Sequence, residues 1–212
     1  MSARGIDSTS GPPSIIYIIR HGEKPEDPSD DDKDETSSAP SGPAGVDIDG
    51  RKNPHSLIPR GWQRCGALAV LFDPTLGEHQ AGLHTPTTLV SPKYGDPAKT
   101  KAHRTNQTIL ALAQRLGLPI GTHVGEHEVA ALAKSLVRDS SGVVIVCWEH
   151  QHIPAIAQAL PVVNSSEIPT TWPDSRFDVI WAFAAVPEAA GPMYRFSQIP
   201  QQVLSHDTNT VI

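Results

Sequence analysis

The sequence predicts an α/β fold, a three-layer α/β/α sandwich with a mostly parallel central sheet and a C-terminal β-hairpin. Three observations carry this. Two short runs, Ile15 to Ile19 (IIYII) and Val143 to Trp148 (VVIVCW), are continuously apolar, as strands buried on both faces of a parallel sheet are. Segments with apolar residues at helical spacing lie between them, so strands and helices alternate and imply right-handed βαβ crossovers. A last pair of runs, FDVIWAFAAV and MYRFSQIP, is joined by PEAAGP and predicts a hairpin at one side of the sheet.

Taken in order, Met1 to Pro13 is Gly/Ser/Pro-rich and predicts a disordered arm over 1–13. Residues 14–212 then form one domain, and 212 residues suffice for a sizeable core. After the first strand, a polar segment over about 26–56 predicts an insertion loop. Its opening, EDPSDDDKDE, carries seven acids and one lysine, and its remainder offers almost no large apolar side chain to order it. The bland reading is a solvated loop. The alternative is a lid whose carboxylates repel wrong anions or contact a cationic part of the substrate; Arg51 and Lys52, near its far end, are instead candidates to reach a substrate phosphate.

LIPRGWQRCGALAVLFD predicts a helix with Trp62, Cys65, Ala69 and Phe72 facing the sheet. Thr87 to Ser91 is a short strand. RTNQTILALAQRLG is a helix with a core stripe of Ile109, Leu112, Ala113 and Leu116, closed by Gly117. LPIGTHV is a short strand candidate, and GEHEVAALAKSLVRD a helix with acids at its start and bases toward its end, as the dipole favours. After VVIVCW comes EHQH, then IPAIAQAL as a helix. Trp148, Trp172, Trp181 and Tyr94 are assigned to the core or a pocket wall.

The net charge of −6 argues against a general nucleic-acid binder. Cys65 and Cys147 fall inside predicted elements and read as buried thiols rather than a disulfide. The chain's start has no apolar signal core, and no run approaches the roughly 20 residues that span a bilayer. No membrane association is expected, and a cytoplasmic protein is.

Arg20-His21-Gly22-Glu23 stands directly past the first strand, where open α/β sheets place ligands. An arginine and a histidine there suit an anion. This tetrapeptide resembles the signature of the histidine phosphatase superfamily, the phosphoglycerate-mutase-like proteins. Leu57-Ile58-Pro59-Arg60-Gly61 resembles the family's usual segment at that place. Arg104-Thr105-Asn106-Gln107-Thr108 resembles its Arg-Xaa-Xaa-Gln-Thr segment, and His150 falls where its second histidine lies. The resemblance spans most of Ser14 to Leu160 but not the acidic loop or the last fifty residues.

The resemblance implies that His21 is phosphorylated during turnover and that Arg20, Arg104, His21 and His150 bind the phosphate. The chemistry is coherent: guanidiniums neutralise a dianion bidentately, an imidazole attacks phosphorus in line, and a second histidine meets the growing charge. With the arginines in that role, no metal and no cofactor is needed. The family's leaving-group acid falls in the interval that holds Glu126 and Glu128, although acids at a helix start also serve the dipole alone. In another branch the acid follows the second histidine; here that position is Gln151. Glu149 is expected to point away from His150, and Glu23 either orients His21 or caps the turn. His150 with His152, or His123 with His127, has metal-chelating spacing, but the preferred reading has no metal. His103 is expected at the surface.

The expected function is hydrolysis of a small phosphorylated metabolite through a phosphohistidine. The rivals are a mutase, a non-catalytic phospholigand-binding protein, and non-phosphoryl metabolite chemistry in the same cationic pocket. The apolar hairpin is a candidate homodimer edge.

Overall fold

A computed structural model of the chain describes residues 11–26, 42–187 and 190–212. Most of the expected N-terminal arm and the acidic opening of the insertion (27–41) lie outside the described residues.

The strands are β1 (Ile15–Arg20), β2 (Thr88–Val90), β3 (Ile120–Gly121), β4 (Val143–Trp148), β5 (Val179–Ala185) and β6 (Tyr194–Pro200). The helices are α1 (Pro59–Phe72), α2 (His103–Leu116), α3 (Val129–Asp139) and α4 (Ile153–Ala159). One sheet takes the order β3-β2-β4-β1-β5-β6. The first four strands in that order are parallel, while β5 runs antiparallel to both β1 and β6. The two apolar runs are thus the central pair, in register from Ile15 opposite Val143 to Arg20 opposite Trp148.

Alternation along these strands builds the layers. Ile16, Ile18, Val144, Val146 and Trp148 face one core with Leu132, Leu136, Ile153 and Ile156 of α3 and α4. Tyr17, Ile19, Ile145 and Cys147 face the other with Leu68, Phe72, Ile109 and Leu112 of α1 and α2. Trp172, Trp181, Phe183 and Phe196 extend the first core under the hairpin. The edge of β6 is met by the chain itself. Asn164 bonds the N–H and C=O of Phe196, and Tyr194 N–H donates to Pro161 O at 2.8 Å. The hydrogen-bonding groups on which a dimer edge would pair are satisfied at those two residues.

The segment from 42 to 56 has no helix or strand and is held by polar bonds to α2, with Ser56 fully buried and Leu57 beside it. Two expectations about the helices are corrected. Trp62 is only half-buried, because its indole N–H donates to Val46 O of that segment, at 2.8 Å. The face of α1 it was expected to share instead buries Arg64. Finally, α3 begins at Val129, so Glu126 and Glu128 precede it.

Arg64, 1% exposed, spends all its donors. Its Nε and Nη2 bond Glu23 at 3.1 and 2.8 Å, Nη1 and Nη2 bond Asp207, and Nη1 also bonds Gln201. Arg60 Nε adds a bond to Glu23 at 3.0 Å. Glu23 therefore holds the turn after β1 to α1 and to the C-terminal segment, and does not touch His21. Gly61 completes the contact: a Cβ there would collide with the Glu23 carbonyl, so only glycine lets α1 lie against this turn.

Burial alone would raise the Asp207 carboxyl, but hydrogen bonds from Arg64 and from the Leu204 and Val203 N–H groups outweigh it and hold it below its ordinary value. Replacing Arg64 by Met should take the buried partner from two carboxylates, which keep only their bonds to Arg60 and to backbone N–H groups, and cost about 3 kcal/mol by urea denaturation at neutral pH. A carboxyl held low stabilises the fold above its unfolded pKa and loses that contribution as pH falls through its folded one. The difference between wild type and Arg64→Met should therefore shrink in acid.

Candidate active site

A cavity of about 480 Å³ opens at the carboxyl ends of β1 and β4. It is lined by Arg20, His21, Lys24, Pro25, Glu26, Lys101, Arg104, Thr105, Glu126, Glu149, His150, Gln151, Asp174 and Phe177. Apart from Glu128, every residue assigned to the site from sequence is here.

Arg20 ends β1 and is 1% exposed. Its Nη1 donates to the carbonyls of Pro173, Asp174 and Arg176, and its guanidinium carbon lies 4.0 Å over the Phe177 ring. Its Nε and Nη2 are shut from solvent without a partner among the described residues. Burial pulls this guanidinium down to about 10, against the pull of Asp174, Glu149 and Glu23. It remains charged at neutral pH, a desolvated cation with two unspent donors.

His21 donates from Nδ1 to the Gly22 carbonyl at 2.7 Å, since a carbonyl can only accept. Nε2 then carries the lone pair, and no described residue bonds it. Burial, then the neighbouring Arg20 charge, keep the imidazole well below its ordinary 6.5 despite the Gly22 bond. Its ring stands edge-on to that of His150, centroids 6.4 Å apart.

The Arg-Thr-Asn-Gln-Thr segment opens α2 and sorts its side chains by helical spacing. Arg104, Gln107 and Thr108 share the face turned to the site. Thr108 Oγ1 accepts the Gly22 N–H at 2.8 Å, fixing the turn that carries His21. Gln107 takes the Leu57 N–H and donates to Ser56 Oγ. Ser56 also meets His103 Nε2 at 3.1 Å. His103 is thus buried, correcting its expected surface place; burial lowers its pKa, which suits a neutral ring accepting from Ser56. The segment so held presents the Pro54 and His55 carbonyls to Arg104 Nη2 and Nε, each at 2.8 Å. Arg51 and Lys52 stay exposed outside the pocket, Arg51 beside Asp49.

His150, 6% exposed, follows β4. Glu149 does not point away from it: its Oε1 lies 2.6 Å from His150 Nδ1, out of line for a hydrogen bond but an ion pair whenever the ring is protonated. Strand alternation fails here because β4 has already ended at Trp148. Burial would raise Glu149, but His150 and the Gln151 N–H pull it below its ordinary value. On the other ring nitrogen, Nε2 lies 2.5 Å from Asp174 Oδ1. Asp174 and Phe177 escaped the sequence reading; they arrive from a loop between α4 and β5 with no spacing relation to either histidine.

The two candidate acids part. Glu126 lines the cavity, and burial followed by the Glu149 charge raises its pKa. Glu128 is exposed and closes a turn, its Oε2 accepting the Gly125 N–H at 2.7 Å. Neither metal-like histidine pair forms as spaced; His127 instead meets His152, nitrogen to nitrogen at 3.0 Å. No group of three or more His, Cys, Asp or Glu side chains among the described residues is arranged to hold a metal. No described helix is long and apolar enough to cross a membrane.

No family profile and no curated protein sequence matches the chain. Among solved structures, the chain is similar to SixA from Agrobacterium tumefaciens, assigned as a phosphohistidine phosphatase, at 13% identity. That match covers 87% of this chain and 96% of the other, with a TM-score of 0.47. It is also similar to a mycobacterial glucosyl-3-phosphoglycerate phosphatase at 14% identity, over 87% and 97% of the two chains, with a TM-score of 0.49.

The state of His21 is directly measurable. Its ring carbon resonances in NMR should not titrate until well below pH 6.5, with the proton on Nδ1. The unfolded chain takes up this proton near 6.5 while the folded chain refuses it, so this residue's contribution to stability should decline as pH drops below that value. Arg20→Ala should move the His21 midpoint upward.

Proposed function

We propose that the chain is a member of the histidine phosphatase superfamily and hydrolyses a small phosphorylated metabolite through a phosphohistidine, without a metal. The observation that carries this reading is the pairing of a neutral His21, its lone pair on Nε2, with the desolvated and half-satisfied Arg20 beside it. A buried donor without a partner is costly, and a phosphoryl oxygen removes that cost while neutralising the charge.

In the proposed reaction, Arg20 and Arg104 hold the phosphoryl oxygens, and His21 Nε2 attacks phosphorus in line with the leaving oxygen. The Nδ1 bond to Gly22 fixes the tautomer that makes Nε2 the nucleophile and stabilises the ring as it gains a phosphoryl group. His150 donates from Nε2 to an equatorial oxygen as charge gathers. Glu126, with its raised pKa, gives its proton to the leaving alkoxide. Its carboxylate then takes a proton from the water that opens the phosphohistidine. The cavity far exceeds a phosphate, and Phe177 and Pro25 are the apolar side chains among its described lining residues, so room remains for a polar leaving group.

His21→Ala should abolish hydrolysis of aryl phosphates and the acid-labile phosphoenzyme, with circular dichroism unchanged. Label trapped on His21 should pass to water; passage to a second substrate hydroxyl would instead make the enzyme a mutase. If no phosphate ester is hydrolysed and no phosphohistidine forms, the reading fails. Glu126→Gln should lower kcat for alkyl phosphates by roughly 10²–10⁴-fold and much less for aryl phosphates, whose leaving groups need no proton. In wild type, the acid limb of kcat/KM should follow protonation of His21, at a pH well below that of an ordinary imidazole. The opposite limb should follow loss of the Glu126 proton, at a higher pH than for an ordinary carboxyl.

A further inference from the structure

Asp174 stands where the proposed chemistry needs a substrate oxygen. Its Oδ1 is 2.5 Å from His150 Nε2, and since a carboxylate only accepts, Nε2 carries a proton in this contact. That N–H is the donor the reaction assigns to phosphate. The Asp174 side chain is 90% exposed against 8% for His150, so the carboxylate reaches the ring from the open side of the cavity. Its backbone, by contrast, is anchored. The carbonyls of Pro173, Asp174 and Arg176 all accept from Arg20 Nη1, and Phe177 packs on the same guanidinium. Rotation about the Asp174 side-chain bonds can clear the ring without moving the loop.

We infer that Asp174 is a specificity-determining residue: a tethered carboxylate that fills the phosphoryl-oxygen position at His150 and yields only to an anion that binds the pocket more strongly than it does. The inference rests on the pocket being a phosphate site. Tethering gives the carboxylate an effective concentration in the mM range, so a free monocarboxylate offers the same chemistry against a competitor already in place and is excluded. A phosphoryl dianion brings more charge and further oxygens, which can use the unpartnered Nε and Nη2 of Arg20. The displaced carboxylate is already in water and pays little desolvation on leaving. The consequence is that even phosphate binds below the pocket's intrinsic affinity, in proportion to the time Asp174 occupies the ring.

Calorimetric titration of the full chain and its Asp174→Ala and Asp174→Asn variants with inorganic phosphate and with formate tests this, alongside aryl and alkyl phosphate kinetics. Removing the carboxylate should tighten phosphate binding by roughly three- to tenfold. It should also confer formate binding that wild type lacks, and raise kcat/KM. Unchanged phosphate affinity with no gain of formate binding overturns the inference. So does a large loss of kcat confined to alkyl phosphates, which would make Asp174 the proton donor. A wild type that binds neither phosphate nor vanadate sinks the phosphate reading itself. The formate comparison still decides separately whether Asp174 excludes monoanions.

Discussion

The burial of one guanidinium at the tip of β1 is the constraint on which the site depends. Taking Arg20 out of water is expensive, and the fold recovers part of that cost by wrapping residues 173–177 around it. Three carbonyls on one nitrogen and an aromatic face make the cation tolerable while leaving Nε and Nη2 unsatisfied. The same burial keeps His21 neutral, because a second charge beside a desolvated cation is disfavoured twice, by solvent loss and by repulsion. Nucleophile and anion holder are thus products of a single act of burial.

A second layer of polar contacts fixes that tip in place. Thr108 holds the Gly22 N–H, and Glu23 ties the next residue to Arg60 and Arg64. Asp207 brings the C-terminal segment into the same buried network. The turn carrying His21 is therefore clamped from α1, from α2 and from the chain's last residues. A buried network with every Arg64 donor satisfied is costly to disturb in part, which suits a turn that must hold a ring to a fraction of an ångström.

The cavity sorts charge by side. The charges of Arg20 and Arg104 act on His21, whereas the carboxylates of Glu149 and Asp174 meet the His150 ring. This gives the two histidines different tasks within one pocket. The ring among guanidiniums is kept unprotonated, and the ring among carboxylates meets one at each nitrogen. Glu126 feels the Glu149 charge, which disfavours its own ionisation and leaves it able to carry a proton.

The sequence by itself determined the layers and the tip of β1. Short, Ile- and Val-rich apolar runs read as central strands, and residues just past a central parallel strand open at its carboxyl end; the places of Arg20, His21 and His150 follow from that, and their roles from the family resemblance. Arg104 was assigned from the resemblance of its segment to that of a known family, and the helix start expected there is where α2 opens. What the tertiary structure decided lies where local pattern carries no information about distant partners. The segment from 42 to 56 has no apolar run, yet it folds because Gln107 and His103 supply its hydrogen bonds. Glu149 lies past the end of β4, where alternation no longer governs direction. Glu126 and Glu128, two residues apart, were separated by a turn that only coordinates reveal. Asp174 reaches His150 through the wrapping of its loop on Arg20, a contact spanning more than 150 residues. Periodicity records which face a residue takes; it does not record which charge, arriving from elsewhere in the chain, will be waiting there.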